Sequence, residues 1–262
     1  MKKLTIKDLF DLKGKRQLTE VFVETGEDAR ACEAAGIELL VTIEDCMPAV
    51  RGGAPNTFIT CAIAGRNAAS EAEALRAGFE AMGRGADAIY TGMSLERVRA
   101  MAREKIPVVG HVGFVPYRRS WLGGYRAIGK TADEAIQVYR DTVAYQEAGA
   151  IGVEVEIVPH KVAAEISKRV KILVISMGAG AGADAQYLFA CDITGSHRGH
   201  IPRHAKVYCD VYGELEKVQA MRVEAFKAYR AEVESGAFPA KKNVLEIEGR
   251  EFEKFMKAVE KG

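Results

Sequence analysis

The stretch Gly152-Val153-Glu154-Val155-Glu156-Ile157-Val158-Pro159 decides the fold. A glycine and a proline bound a run of β-branched residues interrupted by two acids. A strand buried on both faces reads as a short apolar run, and in parallel α/β folds the chemistry collects where such strands end. Val108-Val109-Gly110-His111-Val112-Gly113 and Leu173-Val174-Ile175-Ser176-Met177-Gly178-Ala179-Gly180 have the same form. His111 and Glu156 are therefore candidates for a shared pocket. Glu154 faces the same side of an extended strand as Glu156, one layer further from the mouth, so either the two acids share a proton or a cation, or a bulge turns Glu154 away.

Working outward, strand and helix patterns alternate, which argues for a parallel sheet wrapped by helices. Strands are expected near Leu18–Val23, Leu39–Ile43, Thr57–Ala62, Ala88–Tyr90, Val108–His111, Gly152–Glu156, Ile172–Ser176 and Ala190–Ile193. Helices are expected at Glu27–Ala35, Glu71–Gly83, Leu95–Glu104, Ala132–Ala148, His160–Arg169 and Ala183–Leu188. Thr5–Leu12 reads as a helix capping the barrel bottom, and Glu214–Glu234 as a long amphipathic helix able to close the eighth unit. Eight strands in 262 residues predict an α/β protein, a (β/α)8 TIM barrel. One domain is expected over residues 1–262, with an N-terminal capping helix and a C-terminal helical tail.

The 37 basic and 36 acidic residues give a net charge of +1, so nothing indicates a polyanion-binding surface and nucleic acid is not an expected partner. No run approaches the roughly 18 apolar residues of a membrane span, and the start lacks the apolar core of a signal peptide. Five cysteines, at 32, 46, 61, 191 and 209, leave one over in any full pairing, which fits a reducing compartment and a soluble, cytoplasmic protein.

Glu156, ending an apolar strand, is the first candidate for proton transfer, because desolvation raises a carboxyl pKa towards the useful range. His111 can donate to a substrate carbonyl or carboxylate. Tyr90 at the end of the fourth strand, Ser176 and Gly178 at the end of the seventh, and His200 further on are candidate substrate-binding residues. The glycine-rich stretches 178–182 and 195–199 follow the seventh and eighth strands, where barrels bind anionic groups through backbone N–H donors. His197, His200 and His204 have metal-like spacing, but Gly199 and Pro202 break a single helical face. Trp121 and Tyr125, in the long loop 113–130, either anchor that loop or stack on a flat ligand. Cys46 and Cys61 read as inert thiols.

Seven motifs follow one another: Gly-His-Val-Gly at 110–113, Leu-Gly-Gly-Tyr at 122–125, Glu-Ala-Gly-Ala at 147–150, Glu-Ile-Val-Pro at 156–159, Met-Gly-Ala-Gly at 177–180, Gly-His-Ile-Pro-Arg-His-Ala-Lys at 199–206 and Ala-Glu-Val-Glu-Ser-Gly-Ala-Phe-Pro at 231–239. In their order and spacing the chain resembles the ketopantoate (3-methyl-2-oxobutanoate) hydroxymethyltransferase family, and more broadly the phosphoenolpyruvate-binding barrel enzymes. The resemblance is close from Pro107 to Pro239 and is one of rhythm before that. It implies Glu156 as catalytic acid/base and His111 in the substrate pocket. It further implies 3-methyl-2-oxobutanoate as acceptor, 5,10-methylenetetrahydrofolate as donor, a place in pantothenate biosynthesis, and a homo-oligomer such as a decamer.

The first half departs from that family, whose Asp residues ending strands two and three bind a divalent ion beside a Lys and a Glu at strand four. Here Glu44 and Asp45 stand at the first place, Ala62 at the second, and Tyr90 and Gly92 replace the Lys and Glu. Glu44 and Asp45 are the remaining candidate Mg²⁺ ligands. Arg66, Tyr90 or His111 would stabilise an enolate in place of the ion. The leading expectation is an enzyme making or breaking a C–C bond beside the carbonyl of a small 2-oxo acid through an enolate. The alternatives are a metal-independent lyase, hydrolase or isomerase on another carbonyl substrate, and a non-catalytic barrel for ligand sensing or assembly.

Overall fold

The structure, a computed structural model, describes residues 3–260. The chain forms two compact units, Met1–Cys209 and Asp210–Gly262. In chain order the first contains α1 (Ile6–Leu12), β1 (Leu18–Phe22), α2 (Gly26–Ala35), β2 (Leu39–Ile43), α3 (Met47–Gly53), β3 (Phe58–Ala62), α4 (Glu71–Gly83), β4 (Ala88–Tyr90) and α5 (Leu95–Arg103). It continues through β5 (Val108–Gly113), α6 (Ala132–Glu147), β6 (Gly152–Glu156), α7 (His160–Arg169), β7 (Leu173–Met177), β8 (Ala185–Phe189) and α8 (Ala190–Thr194). Neighbouring strands are all parallel and β1 pairs with β8, so the sheet closes into a (β/α)8 barrel.

The period-two alternation of the strands builds two cores. Leu18, Leu39, Val41, Phe58, Ala88, Val109, Ile175 and Tyr187 pack together inside the barrel, joined by Leu9 of α1, which seals one end. Val21, Leu40, Ile59, Ile89, Val108, Val153, Val155 and Val174 pack instead with Ala29, Ala74, Val98, Val138 and Ile166 of the helices. Being covered on both faces is why β6 and β7 are buried at every residue. Helix starts follow local chemistry: Thr5 and Ser70 form capping boxes with Asp8 and Glu73, and Thr25 and Thr131 accept from the first turns of α2 and α6.

The eighth unit corrects the sequence reading. Of residues 183–188, expected as a helix, 185–188 lie in β8, and residues 190–193, expected as a strand, lie in the short helix α8. Ala, Gln and Leu favour helices, but five residues of β8 pair with β1, from Leu18 opposite Ala185 to Phe22 opposite Phe189. Tertiary pairing overrides propensity here. No helix separates β7 from β8, and α3 is an additional helix absent from the sequence reading. Asp184 fixes the shortened connection: its carboxylate accepts from Lys13 Nζ at 2.6 Å, Ser167 Oγ at 3.1 Å and the Val174 N–H at 2.8 Å. Breaking such a buried pair on one side leaves an uncompensated charge, so Asp184→Ala is expected to lower the unfolding free energy by about 3 kcal/mol. Urea denaturation of the two proteins checks this.

The second unit holds α9 (Val211–Ser235) and α10 (Gly249–Val259), neither of which buries a residue. The helix expected over 214–234 is present, but the helix that follows β8 in the barrel is α8. Among the described residues no helix is long and apolar enough to cross a membrane.

Candidate active site

β5 and β6 run side by side without a bulge, His111 opposite Glu154 and Gly113 opposite Glu156. Both glutamates and the histidine therefore face the barrel interior. Gly113 makes the close approach possible. It has φ +82°, and a Cβ there would stand 2.5 Å from the Glu156 carbonyl oxygen, which accepts from the Phe114 N–H at 2.9 Å. Directly after Glu156 the chain turns at Ile157, a β-branched residue with φ 49°. Such backbone strain costs about 1–3 kcal/mol and gathers where a site needs a side chain aimed.

His111 Nε2 lies 2.9 Å from Glu156 Oε2 and 3.7 Å from Glu154 Oε1, and His111 Nδ1 lies 2.6 Å from the Tyr90 hydroxyl. All three residues on β5 and β6 are buried. Burial lowers the His111 pKa and raises that of Glu154. It pushes Glu156 up to about 8 and holds the Tyr90 phenol well above its ordinary value. A neutral imidazole satisfies this chain in two ways. Either Nε2–H donates to the Glu156 carboxylate while the Tyr90 O–H donates to Nδ1, or protonated Glu156 donates to Nε2 while Nδ1–H donates to the Tyr90 oxygen. The two arrangements differ by one proton, which Glu156 holds or gives up while His111 changes tautomer, Tyr90 stays neutral and the heavy atoms stay in place.

One buried acid escaped the sequence reading. Glu20 on β1 is 4% exposed and sits opposite Tyr187 of β8. Burial, and next the Glu154 charge, push its pKa up to about 8. The signal was available in the spacing of Leu18, Glu20 and Phe22, which share one face of a five-residue strand.

A cavity of about 820 Å³ opens beside this cluster, lined among others by Tyr90, His111, Glu44, Asp45, Asn67 and Arg97. Of the expected substrate-binding residues, Tyr90 joins the site. Ser176 does not, because it alternates with the inward Ile175 and Met177; its hydroxyl accepts from the Ala179 N–H at 3.1 Å. Gly178 lines a separate cavity of about 210 Å³ with Lys130, His160 and Arg203. His200 is exposed and is not among the residues lining the larger cavity. The Arg66 side chain lies outside the described residues. Trp121 is 93% exposed, Tyr125 is largely open too with its ring tilted against Phe114 at 5.3 Å, and the buried Ile128 ties the end of the long loop down. Cys61 faces the helices, its thiol pushed up to about 12 by burial.

The model of the ketopantoate hydroxymethyltransferase family matches residues 30–241. The chain belongs to this family. A 3-methyl-2-oxobutanoate hydroxymethyltransferase of Thermus thermophilus is 33% identical over 264 residues, covering 91% of this chain and 98% of that protein. The enzyme of the same name from Acetivibrio thermocellus is 40% identical over 154 residues, 59% of this chain. In that match and the one to Nitratidesulfovibrio vulgaris the chain spans about half of the relative's length, 52% and 53%. Among solved structures, a phosphonopyruvate hydrolase in complex with oxalate and Mg²⁺ superposes with TM-score 0.53 at 14% identity, over 97% of this chain and 99% of that one. A lyase/mutase-like protein from Burkholderia cenocepacia gives 0.54 at 14% identity, over 70% and 81%. At such identities these two share the barrel fold.

The ion positions implied by the ketopantoate hydroxymethyltransferase resemblance fit poorly here. Glu44 Oε2 already accepts from the Ala64 N–H at 3.2 Å and from Asn67 Nδ2 at 2.8 Å. Asp45 is exposed to solvent, and Ala62 and Gly92 offer no side-chain donor atom. Hard cations need several oxygen ligands. Among the described residues, three potential ligand atoms come within 4.8 Å of one another in two other places: His111, Glu154 and Glu156, and Cys191, Asp192 and His197.

Proposed function

We propose that this protein makes or breaks a C–C bond next to the carbonyl of a small 2-oxo acid, with 3-methyl-2-oxobutanoate as acceptor and 5,10-methylenetetrahydrofolate as one-carbon donor in pantothenate biosynthesis. Glu156 removes the proton from C3, and the enolate carbon forms the new C–C bond to the one-carbon unit, which leaves the folate as its C–N bonds break and takes its hydroxyl oxygen from water. His111, fixed by Tyr90 at Nδ1, holds the carbonyl, its Nε2–H turning from the Glu156 carboxylate to the developing enolate oxygen. The observation that carries this reading is the 2.9 Å contact between His111 and Glu156 in a chain of this family. The test is solvent deuterium exchange at C3, followed by NMR with and without Mg²⁺, Glu156→Gln serving as control. Exchange that depends on Glu156 supports the proposal; no exchange under either condition rejects this substrate.

The misfit of Glu44 and Asp45 as an ion site favours a second reading, a metal-independent lyase, hydrolase or isomerase acting on another carbonyl compound. Exchange in a panel of other 2-oxo acids, without Mg²⁺, separates the two.

The protein is further proposed to be a cytoplasmic homo-oligomer. Within the second unit Met221 is 72%, Phe226 71% and Leu245 102% exposed, and Phe252, Phe255 and Val259 of α10 are open to solvent as well. Apolar area of this kind, contiguous along a helix, marks interaction surfaces. Light scattering after size exclusion is expected to give a multiple of the 28.5 kDa chain; Phe226→Glu is expected to shift it towards the monomer.

A further inference from the structure

We propose that His111, Glu154 and Glu156 form a binding site for one divalent transition-metal ion inside the barrel, on β5 and β6, remote in sequence from the Glu44–Asp45 pair. His111 Nε2, Glu154 Oε1 and Glu156 Oε2 all lie within 4.8 Å of one another. The nitrogen stands 2.9 and 3.7 Å from the two oxygens. Donors about 2.0–2.2 Å from a common tetrahedral ion lie about 3.4 Å apart, so small side-chain adjustments bring all three onto one centre. Tyr90 supplies the supporting contact such a histidine needs, since its oxygen, 2.6 Å away, accepts the Nδ1 proton and leaves the Nε2 lone pair for the ion.

An independent observation points the same way. Glu20, 4% exposed, projects into the same interior from β1, is repelled by Glu154, and receives no hydrogen bond from a side chain among the described residues. Glu20, Glu154 and Glu156 thus share the interior with the His111 imidazole, a grouping of donors that a divalent ion balances once the acids give up their protons. One nitrogen and two oxygens suit zinc, cobalt, manganese or iron better than magnesium. The cavity lined by Tyr90 and His111 gives the entry path.

The other three-residue cluster lacks these properties. His197 Nδ1 accepts from the Gly199 N–H at 3.0 Å, so its Nε2 carries the proton and donates to Asp192 at 2.9 Å. Neither lone pair is left for an ion.

The inference shares His111, Tyr90 and Glu156 with the proposed reaction but does not rest on it: with an ion on Nε2, His111 has no N–H for an enolate, so the ion-bound and ion-free forms are separate states, and ligation through Glu156 Oε2 leaves Oε1 for a proton. Its test reads binding without substrate. Chelator-treated full-length protein is titrated with Co²⁺, followed by visible ligand-field absorbance, and equilibrium dialysis with Zn²⁺ gives the stoichiometry. One ion per chain is expected. Glu154→Gln is expected to weaken binding more than about tenfold, and Tyr90→Phe by about tenfold, in line with losses of supporting contacts. Circular dichroism confirms that each variant is folded, and Tyr90→Phe carries the test if Glu154→Gln is not. Glu44→Gln and Cys191→Ser are expected to bind as the parent does. Absence of stoichiometric binding, or binding lost in Glu44→Gln or Cys191→Ser but kept in Glu154→Gln and Tyr90→Phe, overturns the proposal. Whether deuterium exchange occurs at C3 in chelated protein is a separate result and decides only the proposed reaction.

Discussion

Glu156→Gln is expected to slow C3 deuterium exchange by about 10²–10⁴-fold, the range that a positioned general base contributes. Gln keeps the volume and one acceptor, so His111 retains a partner and the barrel stays folded; thermal unfolding of the variant checks that. The wild-type rate carries a second signature. A base acts only when deprotonated, and burial holds Glu156 near about 8. In chelator-treated protein the exchange rate therefore rises with pH through about 8 and levels off above it. A profile that rises instead around the ordinary carboxylate range would remove Glu156 from the role. His111→Asn, which cannot occupy both of the imidazole's contacts, is expected to lose about 10²-fold by analogy with the removal of one oxyanion donor.

The largest expected effect on stability belongs to Glu20. Its pKa stands near about 8 in the fold against about 4.3 in an open chain. Between those values the unfolded chain gives up a proton that the folded protein keeps, so stability falls as pH rises through that window. The loss amounts to as much as about 5 kcal/mol once both states are ionised. Glu20→Gln removes the titration. In chelated protein it is expected to equal the parent near pH 4 and to exceed it by several kcal/mol near pH 9, measured by urea denaturation across that range. Equal stability at both ends would show that Glu20 ionises freely and is not part of a charged interior. A natural sequence that keeps a destabilising acid at such a place keeps it for use, since sites are where stability is given up.

What the sequence disclosed, and what it did not, follows from period and context. Gly152–Glu156 was legible because a strand covered on both faces is apolar almost throughout, and an acid in it stands out. The pairing of His111 with Glu156 was legible for the same reason. Residues 185–189 were not, because Ala-Gln-Tyr-Leu-Phe has helical composition and only the partner strand β1 makes it extended. Glu20 was passed over because Thr19-Glu20-Val21-Phe22 looks like an ordinary alternating strand; its inward direction is fixed by Leu18, two residues earlier. Ser176 misled in the opposite sense, since nearness to a strand end says nothing about which face a hydroxyl takes. The glycine at 113 was seen as part of a motif, whereas its reason, the Glu156 carbonyl 2.5 Å from where a Cβ would stand, exists only in three dimensions.

The closing pair of the barrel has a bearing on how the molecule is made. Leu18 meets Ala185 and Phe22 meets Phe189, so the barrel's first strand finds its second neighbour only after nearly the whole unit has been synthesised. At about 5–20 residues per second that is an interval of roughly ten to thirty seconds in which β1 keeps a bare edge and an unburied acid. Long-range pairings of this sort form late. A nascent or clipped chain ending before Phe189 has two open edges in place of a ring, and exposed strand edges recruit other chains. β8 is in that sense the latch of the molecule, and its loss is expected to send the product to aggregates or proteases rather than to a smaller working barrel.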